Sequence, residues 1–413
     1  MRFFLSFSEQ GMGALLTFAI NMWMARDGLP ASYGVYAFWL TIAWITGTAQ
    51  STLVTSHLMS LPQMQPEKRT ELERFFLTIQ VYFIGGATFI AASATALLDA
   101  INSSFSAIGT LLFLPGFLLF QYVRVLAFSR QKPVVATCLT GGILCIATLM
   151  IGCFHFIGDA PTSSNGLFVA GAAYATVSLN VLLYLMGSNC KTLPIKDMKP
   201  HLHILHSSGW ILLGAGSSEL TNRLYSFVTA WHYGPSALAA LSATQITLRP
   251  AWMLSAAWTS AELPRLSHMW HEKKQSKFLL FLGIGLLLPT VGSIVWGVLV
   301  WWGWQPITQI LYRGRYADAS NLVLFWGGNV ILGSIISSLT CAFLASRRFK
   351  TLAFTDIAGA IAAIICIFSL TQFLPFPYII VGTMAGQITQ AIGLAIGLYF
   401  LLKKEKIQPK RRK

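Results

Sequence analysis

The stretch Phe278–Trp302, FLLFLGIGLLLPTVGSIVWGVLVWW, runs for 25 residues without a charged side chain. About 20 apolar helical residues cross the ~30 Å hydrocarbon layer of a bilayer, so this stretch predicts a transmembrane helix. Eleven further apolar stretches have similar length, and Gly-, Pro- and Asn-containing turns separate them. We therefore predict an all-α integral membrane protein of about twelve transmembrane helices. The predicted spans are 4–25, 34–58, 75–98, 106–128, 134–157, 166–187, 208–231, 237–260, 278–302, 320–344, 351–374 and 378–402.

The composition of the whole chain excludes a soluble globular protein. Hydrophobic residues make up 55% of the 413 residues and charged residues only 10%. A soluble domain carries about 25% charged residues, because its surface must face water. The six cysteines are scattered over several predicted helices and one loop, so we interpret them as small buried packing residues rather than a disulfide framework.

Lysine and arginine are distributed asymmetrically between the predicted loops. If Arg2 is cytoplasmic, 23 of the 29 basic residues fall in the N-terminus, alternate loops and the tail. The positive-inside rule then places both termini in the cytoplasm, which we assign to a bacterial inner membrane. The opposite loops contain only Arg26, Arg313 and Arg315. The net charge of +15 reflects this bias, so it gives no support to nucleic-acid binding, and the tail is predicted to contact anionic membrane lipid.

Similar local sequences recur six predicted helices apart. The turn Gly28–Ala37 resembles Gly234–Ala243, and the turn Ala127–Lys132 resembles Leu344–Lys350. Because six is an even number, such halves would be parallel repeats about an axis along the membrane normal. Two six-helix bundles around a central cavity are therefore predicted. Their bounds are 1–190 for the N-terminal bundle, 191–207 for a cytoplasmic linker, 208–402 for the C-terminal bundle and 403–413 for a basic cytoplasmic tail.

The sequence contains no recognisable catalytic or metal-binding motif. It has no phosphate-binding loop, zinc-protease signature or nucleophile elbow. His201, His203 and His206 do not share one helix face, and His268 with His271 lacks a third ligand nearby in the sequence. The predicted external loops are also short, whereas membrane glycan polymerases usually need a sizeable one. We therefore predict a protein that is not an enzyme and has no cofactor or metal site.

Charged residues at membrane depth are the informative ones, because each costs about 2.5–3.5 kcal/mol by insertion scales. The candidates are Arg124, Glu219, Arg223, Arg249 and Asp356. Arg124 could face the cavity or extend to the membrane interface. Asp356 follows the start of its helix closely, so it could cap the helix or face the cavity. Glu9 lies near the inner end of the first span.

The seventh and eighth predicted helices contain three of these residues. Glu219 and Arg223 are four residues apart and share a helix face, so they could form a structural pair or face the cavity. Pro250 follows Arg249 directly and is predicted to kink the eighth helix. Arg249 has no acidic residue nearby in the sequence, which makes it the strongest candidate for an anion ligand.

These segments resemble those of a known transporter family. Ser8–Gly11 and Asn21–Tyr36 resemble the first-helix and outer-turn pattern of polysaccharide and O-antigen flippases. Thr221–Arg223, Thr247–Pro250 and Glu262–Leu266 resemble the seventh and eighth helices of the same proteins. These flippases belong to the multidrug/oligosaccharidyl-lipid/polysaccharide (MOP) exporter superfamily, and the resemblance covers essentially the whole chain.

The resemblance implies a transporter that moves a prenyl-diphosphate-linked oligosaccharide to the outer leaflet by alternating access. In the related lipid II flippases an arginine early in the eighth helix faces the cavity, and Arg249 matches its position. The arginine pairs of their first and second helices are absent here, which argues against lipid II as the substrate. The expected substrate-binding set is Arg249, Arg223, Glu219, Arg124 and Asp356. Arginines could neutralise the diphosphate, and side-chain amides could bind hydroxyls, although an amide in a membrane helix more often holds helices together. Those amides are Asn21, Gln50, Asn180, Asn222, Gln245, Asn329, Gln387 and Gln390.

Two other functions stay open at this stage. A cation-coupled multidrug exporter of the same superfamily would need a cavity carboxylate without an excess of arginine. A membrane glycosyltransferase or polymerase would need catalytic carboxylates on a loop. The transported glycan and the coupling ion, H⁺ or Na⁺ if there is one, are also open. A cavity formed by one chain predicts a monomer, with a glycan polymerase or export machinery as possible partners.

Overall fold

The computed structural model describes residues 2–59, 61, 66–101, 103–158, 160–187, 190–194, 198, 201 and 209–407. All regular secondary structure in these ranges is helical, so the predicted all-α class is confirmed. Most of the predicted linker 191–207 and the last six residues of the tail lie outside the described residues.

The first half of the chain forms six long helices, and its turn residues set their ends. Pro30 and Pro133 occupy the first turn of their helices, where a missing N–H costs nothing. Gly158 ends its helix with a φ of 82°, and Thr162 accepts a hydrogen bond from the backbone N–H of Asn165 at the next helix start. The helices are α1 (Arg2–Asp27), α2 (Pro30–Gln50), α3 (Pro66–Ala100), α4 (Thr110–Ser129), α5 (Pro133–Ile157) and α6 (Ser163–Met186).

The second half differs from the prediction in two places. The predicted eighth helix is divided into two helices at Leu248, and a short helix follows Trp302 where a loop was predicted. The helices are α7 (Gly209–Tyr233), α8 (Pro235–Thr247), α9 (Arg249–His271), α10 (Gln275–Trp302), α11 (Trp304–Tyr312), α12 (Ser320–Ala345), α13 (Phe349–Phe373) and α14 (Ile379–Ile407).

Eight of the described helices are long and apolar enough to cross a membrane, namely α3–α6, α10 and α12–α14. The chain is therefore a multi-pass membrane protein. Helices α1, α2 and α7 have 26, 21 and 25 residues, which is long enough to cross, but they do not reach the same apolarity. Helix α9 does not reach it either, and α8, with 13 residues, is too short to cross a membrane by itself.

The chain folds into two compact units. Unit 1 contains Met1–Leu212 and Gly234–Ala239, and unit 2 contains Leu213–Tyr233 and Ala240–Lys413. Four helix pairings recur at corresponding positions of the two units. In unit 1 the pairs are α4–α6, α3–α4, α5–α6 and α2–α4, and in unit 2 the corresponding pairs are α12–α14, α10–α12, α13–α14 and α9–α12.

Glycines allow the closest of these pairings. In unit 1 an ideal Cβ built on Gly116 would lie 2.7 Å from the carbonyl oxygen of Gly171. In unit 2 a Cβ on Gly386 would lie 2.6 Å from the carbonyl oxygen of Gly359. Such contact between backbones is how small residues drive helix association in lipid, where burial from water contributes little.

The cysteine prediction is partly wrong. All six cysteines are free thiols, and Cys341 is buried as expected. Cys138, Cys145 and Cys153, however, are exposed along α5. A thiol is small and weakly polar, so a lipid-facing helix surface tolerates it as well as a packed interior does.

Candidate functional site

Arg124 in unit 1 forms a two-point ion pair with Glu9. Its Nε donates to Oε1 of Glu9 at 2.7 Å, and its Nη2 donates to Oε2 at 2.9 Å. Thr140 of α5 donates a third hydrogen bond to Oε1 at 3.0 Å. The Glu9 side chain is 2% exposed and that of Arg124 is 30% exposed. Three helices, α1, α4 and α5, are therefore joined at one buried carboxylate.

A second charged cluster in unit 1 surrounds Glu73 of α3. Arg69 donates to the carboxylate at 2.9 Å, and Arg130, which follows α4, also pairs with it. Arg130 donates in addition to the carbonyl oxygen of Leu185 in α6. Sequence reasoning treated these arginines only as topogenic charges, because nothing in the local pattern shows that they converge on one carboxylate.

The break between α8 and α9 is the main backbone feature of unit 2. Pro250 has no N–H, and the N–H of Ala251 bonds the carbonyl of Leu248 at 3.1 Å instead of continuing the α-helical pattern to Thr247. The carbonyl of Thr247 accepts a hydrogen bond from the indole N–H of Trp296 in α10 at 3.0 Å. The predicted kink at Pro250 is thus a one-residue interruption of the helix at Leu248, and a neighbouring side chain satisfies the freed backbone group.

Arg249 is the first residue of α9 and is half-buried. The N-terminus of a helix has unsatisfied N–H groups and the positive end of the helix dipole. Discontinuous helices in transporters place such ends near the bilayer midplane, pointing toward anionic groups of the substrate. At this helix start Pro250 has no N–H and the N–H of Ala251 is already bonded to Leu248, so the positive charge here comes chiefly from the guanidinium of Arg249.

Helix α7 carries the other predicted pair. Arg223 donates to the carboxylate of Glu219 one turn earlier, and both side chains are about one-quarter exposed, at 27% and 23%. One residue before Arg223, the side-chain oxygen of Asn222 accepts a hydrogen bond from Gln387 of α14 at 3.2 Å. Helix α7 thus carries an ion pair and an amide contact to α14.

Asp356 lies in the second turn of α13, so it does not cap the helix. Its carboxylate accepts a hydrogen bond from Gln390 of α14. Its Oδ2 lies 3.7 Å from the ideal Cβ position of Gly214, which places it close to α7 as well. Unit 2 therefore brings α7, α13 and α14 together around polar groups. Of the five predicted site residues, Arg124 lies in unit 1 and the other four lie in unit 2.

Most of the predicted substrate-binding amides instead bond to neighbouring protein groups. Gln50 donates to Gln80 at 3.0 Å and to the carbonyl of Leu118 at 2.7 Å. Asn21 accepts from Tyr33, and Gln245 accepts from Tyr225, both at 3.1 Å. These contacts favour the interpretation that the amides hold helices together.

A series of hydroxyl groups joins α9, α10 and α12, and sequence reasoning missed it. The Ser334 hydroxyl lies 2.8 Å from the hydroxyls of Ser255 and Ser293, and Thr259 lies 2.9 Å from Ser337. Below them on α9, the buried Glu262 accepts from Arg265 at 3.0 Å. The sequence signal that could have predicted this contact is the spacing of serine and threonine three or four residues apart on α9 and α12.

No protein-family model matches the sequence, and no curated protein is similar to it. Solved structures are similar in fold over nearly the whole chain. A multidrug resistance MATE family transporter of the MOP superfamily, in an inward-facing conformation, gives a TM-score of 0.75 at 11% identity, covering 96% of both chains. The lipid II flippase MurJ gives 0.74 at 12% identity, covering 96% of this chain and 87% of the other.

Two further matches have named sources. A Vibrio cholerae MATE transporter gives a TM-score of 0.66 at 13% identity, covering 98% of this chain and 96% of the other. A Pyrococcus furiosus MOP transporter, described as having a binding pocket of reversed polarity, gives 0.60 at 12% identity, covering 97% and 94%. The chain therefore has the fold shared by the transporters of the MOP superfamily.

Proposed function

We propose that this protein is a flippase that moves a prenyl-diphosphate-linked oligosaccharide, such as a polysaccharide or O-antigen repeat unit, across a bacterial inner membrane. The observation that carries the proposal is the position of Arg249 at the start of α9, where Pro250 ends the preceding helix. An arginine at this interruption of the helix is suited to a multiply charged anion, because its guanidinium can donate charge-assisted hydrogen bonds to phosphate oxygens.

Two carboxylates at membrane depth support an anionic rather than a cationic cargo. Glu9 is bonded to Arg124 and Thr140, and Glu219 is bonded to Arg223. A cationic drug would have to displace one of these donors to reach a carboxylate. An anionic diphosphate would instead meet arginines that are already oriented by their carboxylate neighbours.

The apolarity of the helices is compatible with a path for a sugar. Helices α1, α2, α7 and α9 do not reach the apolarity of the eight helices that are apolar enough to cross a membrane. Helices that border water-filled space carry polar side chains that a lipid-facing helix could not tolerate. We propose that these segments border the path of the glycan while the prenyl chain stays in the bilayer. The similarity in fold to a lipid II flippase supports a lipid-linked cargo.

The orientation and the energy source are part of the same proposal. Both termini would face the cytoplasm, because most basic residues fall on that side. A single chain would carry the whole path, and the cycle would alternate between openings to the two leaflets. H⁺ or Na⁺ coupling, membrane potential and removal of the product by polymerisation are all compatible with this scheme.

The experiment is flipping of a fluorescent prenyl-diphosphate oligosaccharide in proteoliposomes, compared between wild type, Arg249→Ala and Arg249→Lys. We expect at least a tenfold loss for Arg249→Ala, which corresponds to about 1.4 kcal/mol, and a smaller loss for Arg249→Lys. Arg26→Ala is the matched control, since Arg26 is an exposed arginine at the end of α1. Wild-type flipping by a well-folded Arg249→Ala protein would overturn the assignment of the anion site.

A multidrug exporter is the second candidate, and Asp356 is the observation that favours it. Its carboxylate is bonded to the neutral amide of Gln390, with no salt bridge among the described residues. The similarity in fold to MATE transporters is equally strong. Efflux of an organic cation that is lost in Asp356→Asn, together with no transport of any lipid-linked glycan, would establish this function in place of the flippase.

A further inference from the structure

Five buried side chains on α7, α12 and α14 each have a polar atom without a hydrogen-bond partner among the described residues. All five residues are at most 2% exposed. The atoms are Oγ1 of Thr229, Nε1 of Trp326, Nδ2 of Asn329, Oγ1 of Thr383 and Oε1 of Gln387. A buried polar atom without a partner carries the full cost of its lost hydration, so native proteins contain few of them. Five such atoms in one region of unit 2 therefore indicate a bound ligand.

Three of the five residues lie where α7 and α12 meet. The rings of Tyr225 in α7 and Trp326 in α12 are 5.0 Å apart, edge to face. Thr229 follows Tyr225 by four residues, and Asn329 follows Trp326 by three, so each shares a helix face with a residue of this contact. Thr229, Trp326 and Asn329 thus belong to one interface between two helices.

The other two residues lie on the face of α14 that meets α7. Gln387 donates to the side-chain oxygen of Asn222 in α7 at 3.2 Å, while its own Oε1 has no partner in the described part of the chain. Thr383 precedes Gln387 by four residues and shares its helix face. Helix α12 also approaches α14 at this level, because the ideal Cβ position of Gly328 lies 2.6 Å from the Cε atom of Met384.

The two contacts of α7 lie close together along the helix. Asn222, which meets α14, and Tyr225, which meets α12, are three residues apart, a rise of about 4.5 Å. Thr229 extends this range to about two turns of helix. The five unpartnered atoms therefore gather in one region that α7, α12 and α14 enclose.

The mixture of donors and acceptors identifies the ligand. The indole N–H of Trp326 and the amide N–H of Asn329 can only donate, the carbonyl oxygen of Gln387 can only accept, and a threonine hydroxyl can do either. A cation would meet N–H groups and an anion would meet a carbonyl oxygen, so neither suits the whole set. Water donates and accepts at once, and a single molecule is bonded to two to four polar groups in such sites.

We propose that unit 2 encloses a hydration site, in which ordered water molecules between α7, α12 and α14 are bonded to these five side chains. Bonds through water are nearly as favourable as direct ones. Polar links of this kind hold α7 against its neighbours in a bilayer, where apolar packing distinguishes poorly between protein and lipid. The site does not depend on the transported substrate, so it can be tested whether or not the protein flips glycans.

The test is X-ray footprinting of the full-length protein in lipid nanodiscs, in which hydroxyl radicals formed from bound water oxidise the side chains beside it. Mass spectrometry compares Trp326 with Trp304, a matched control in unit 2 that is also 1% exposed. The indole of Trp304 is already bonded to the carbonyl of Tyr316 at 3.0 Å. We expect oxidation of Trp326 to be several-fold faster than that of Trp304, and equal rates would overturn the site.

A double variant removes two partners of the water while nearly preserving the shape of the side chains. In Asn329→Leu with Thr383→Val, oxidation of Trp326 should fall to the rate of Trp304. Thr244→Val is the control variant, because the buried Thr244 hydroxyl is bonded to carbonyls of its own helix α8, and it should leave the rate for Trp326 unchanged. If the double variant does not fold, as judged by size-exclusion chromatography, Thr383→Val alone is measured and should lower the rate.

The stability of Thr383→Val gives a second readout, because its sign depends on whether the hydroxyl has a partner. Loss of a bond to water should raise the equilibrium constant for unfolding in SDS about fivefold, which corresponds to about 1 kcal/mol. A hydroxyl with no partner would instead be better replaced by a methyl group, so the constant would fall. A decrease in the constant for folded Thr383→Val would therefore exclude water at this position.

Discussion

Arg124 and Glu9 are 115 residues apart in the sequence, yet both oxygens of the Glu9 carboxylate are bonded to the Arg124 guanidinium. The carboxylate is buried and is completed by Thr140. The bond therefore joins α1, α4 and α5 by charge, in a part of unit 1 where apolar contacts with lipid and with protein are nearly equivalent. The ion pair is therefore a structural contact within unit 1 as well as a candidate for substrate binding.

Replacing Arg124 by Leu should destabilise the protein strongly. The change leaves the Glu9 carboxylate buried without its cation, a situation that costs about 3–5 kcal/mol. Thermal unfolding followed by tryptophan fluorescence should show a large decrease in melting temperature. Thr140→Val removes one hydrogen bond only and should cost about 1 kcal/mol. Glu9→Gln combined with Arg124→Leu should recover part of the loss, and equal small effects for all three proteins would contradict this role.

The indole of Trp296 should contribute to the free energy of unfolding only in proteins that keep Pro250. Trp296→Phe leaves the Thr247 carbonyl without its donor, which should cost about 1–3 kcal/mol. In a Pro250→Ala background the helix can continue, and the N–H of residue 251 can bond Thr247 instead. The cost of Trp296→Phe should then fall below ~0.5 kcal/mol. A double-mutant cycle on urea or SDS unfolding measures this difference, and additive effects would exclude it.

Gly386 should not tolerate a side chain. A Cβ there would lie 2.6 Å from the carbonyl oxygen of Gly359 and 2.7 Å from the Cβ of Ala363, so α13 and α14 would have to separate. We expect Gly386→Ala to cost about 1–3 kcal/mol, as other overpacked contacts do. Gly85→Ala in α3 is the matched control, because nothing lies within 4 Å of its ideal Cβ. It should be neutral or stabilise the helix by up to ~1 kcal/mol, and a reversal of this order would refute the packing argument.

Alkaline pH should loosen the turn after α11. Burial raises the pKa of Tyr316 to about 12 from an ordinary 10.0, although Arg315 acts to lower the pKa. Between these pH values the unfolded turn releases a proton that the folded turn retains, so stability is complete below pH ~10 and declines toward pH ~12. The loss should approach ~2 kcal/mol, and Tyr316→Phe should abolish it.

The measurement for Tyr316 is a phenolate absorbance titration of wild type and Tyr316→Phe. The difference between the two curves should contain one group that ionises well above pH ~10. A difference curve centred at the ordinary tyrosine pKa would contradict this prediction.

The helical class and the MOP-type fold could be predicted from the sequence. A helix that crosses a bilayer must have a minimum length and apolarity, and stretches such as Phe278–Trp302 have both. The kink at Pro250 was predicted for the same kind of reason, since a proline acts on its own backbone. The full break needed the indole of Trp296, which is 49 residues from Thr247. No local pattern connects two residues at that distance.

The candidate site shows the same limit. The Glu219–Arg223 pair was predicted because it depends on helix periodicity alone. Arg124 was identified as a charge at membrane depth, but its pairing with Glu9 depends on how α1, α4 and α5 pack. Helix α11 was predicted as a loop because its nine residues are too short to give a span, and its stability comes from Trp304 and Tyr312 packing on unit 2. The predicted central cavity stays a prediction.

The division at Leu248 has a consequence for how the chain is made. Helix α8 has 13 residues and is about 20 Å long, so it is shorter than the ~30 Å hydrocarbon layer. While it emerges from the ribosome, the carbonyl of Thr247 has no donor until Trp296 has also been synthesised. The α8–α9 segment should therefore insert stably into the bilayer only together with α10, as a helical hairpin. The α8–α9 segment of a nascent chain arrested before residue 296 should be less stably inserted than that of a chain arrested after it.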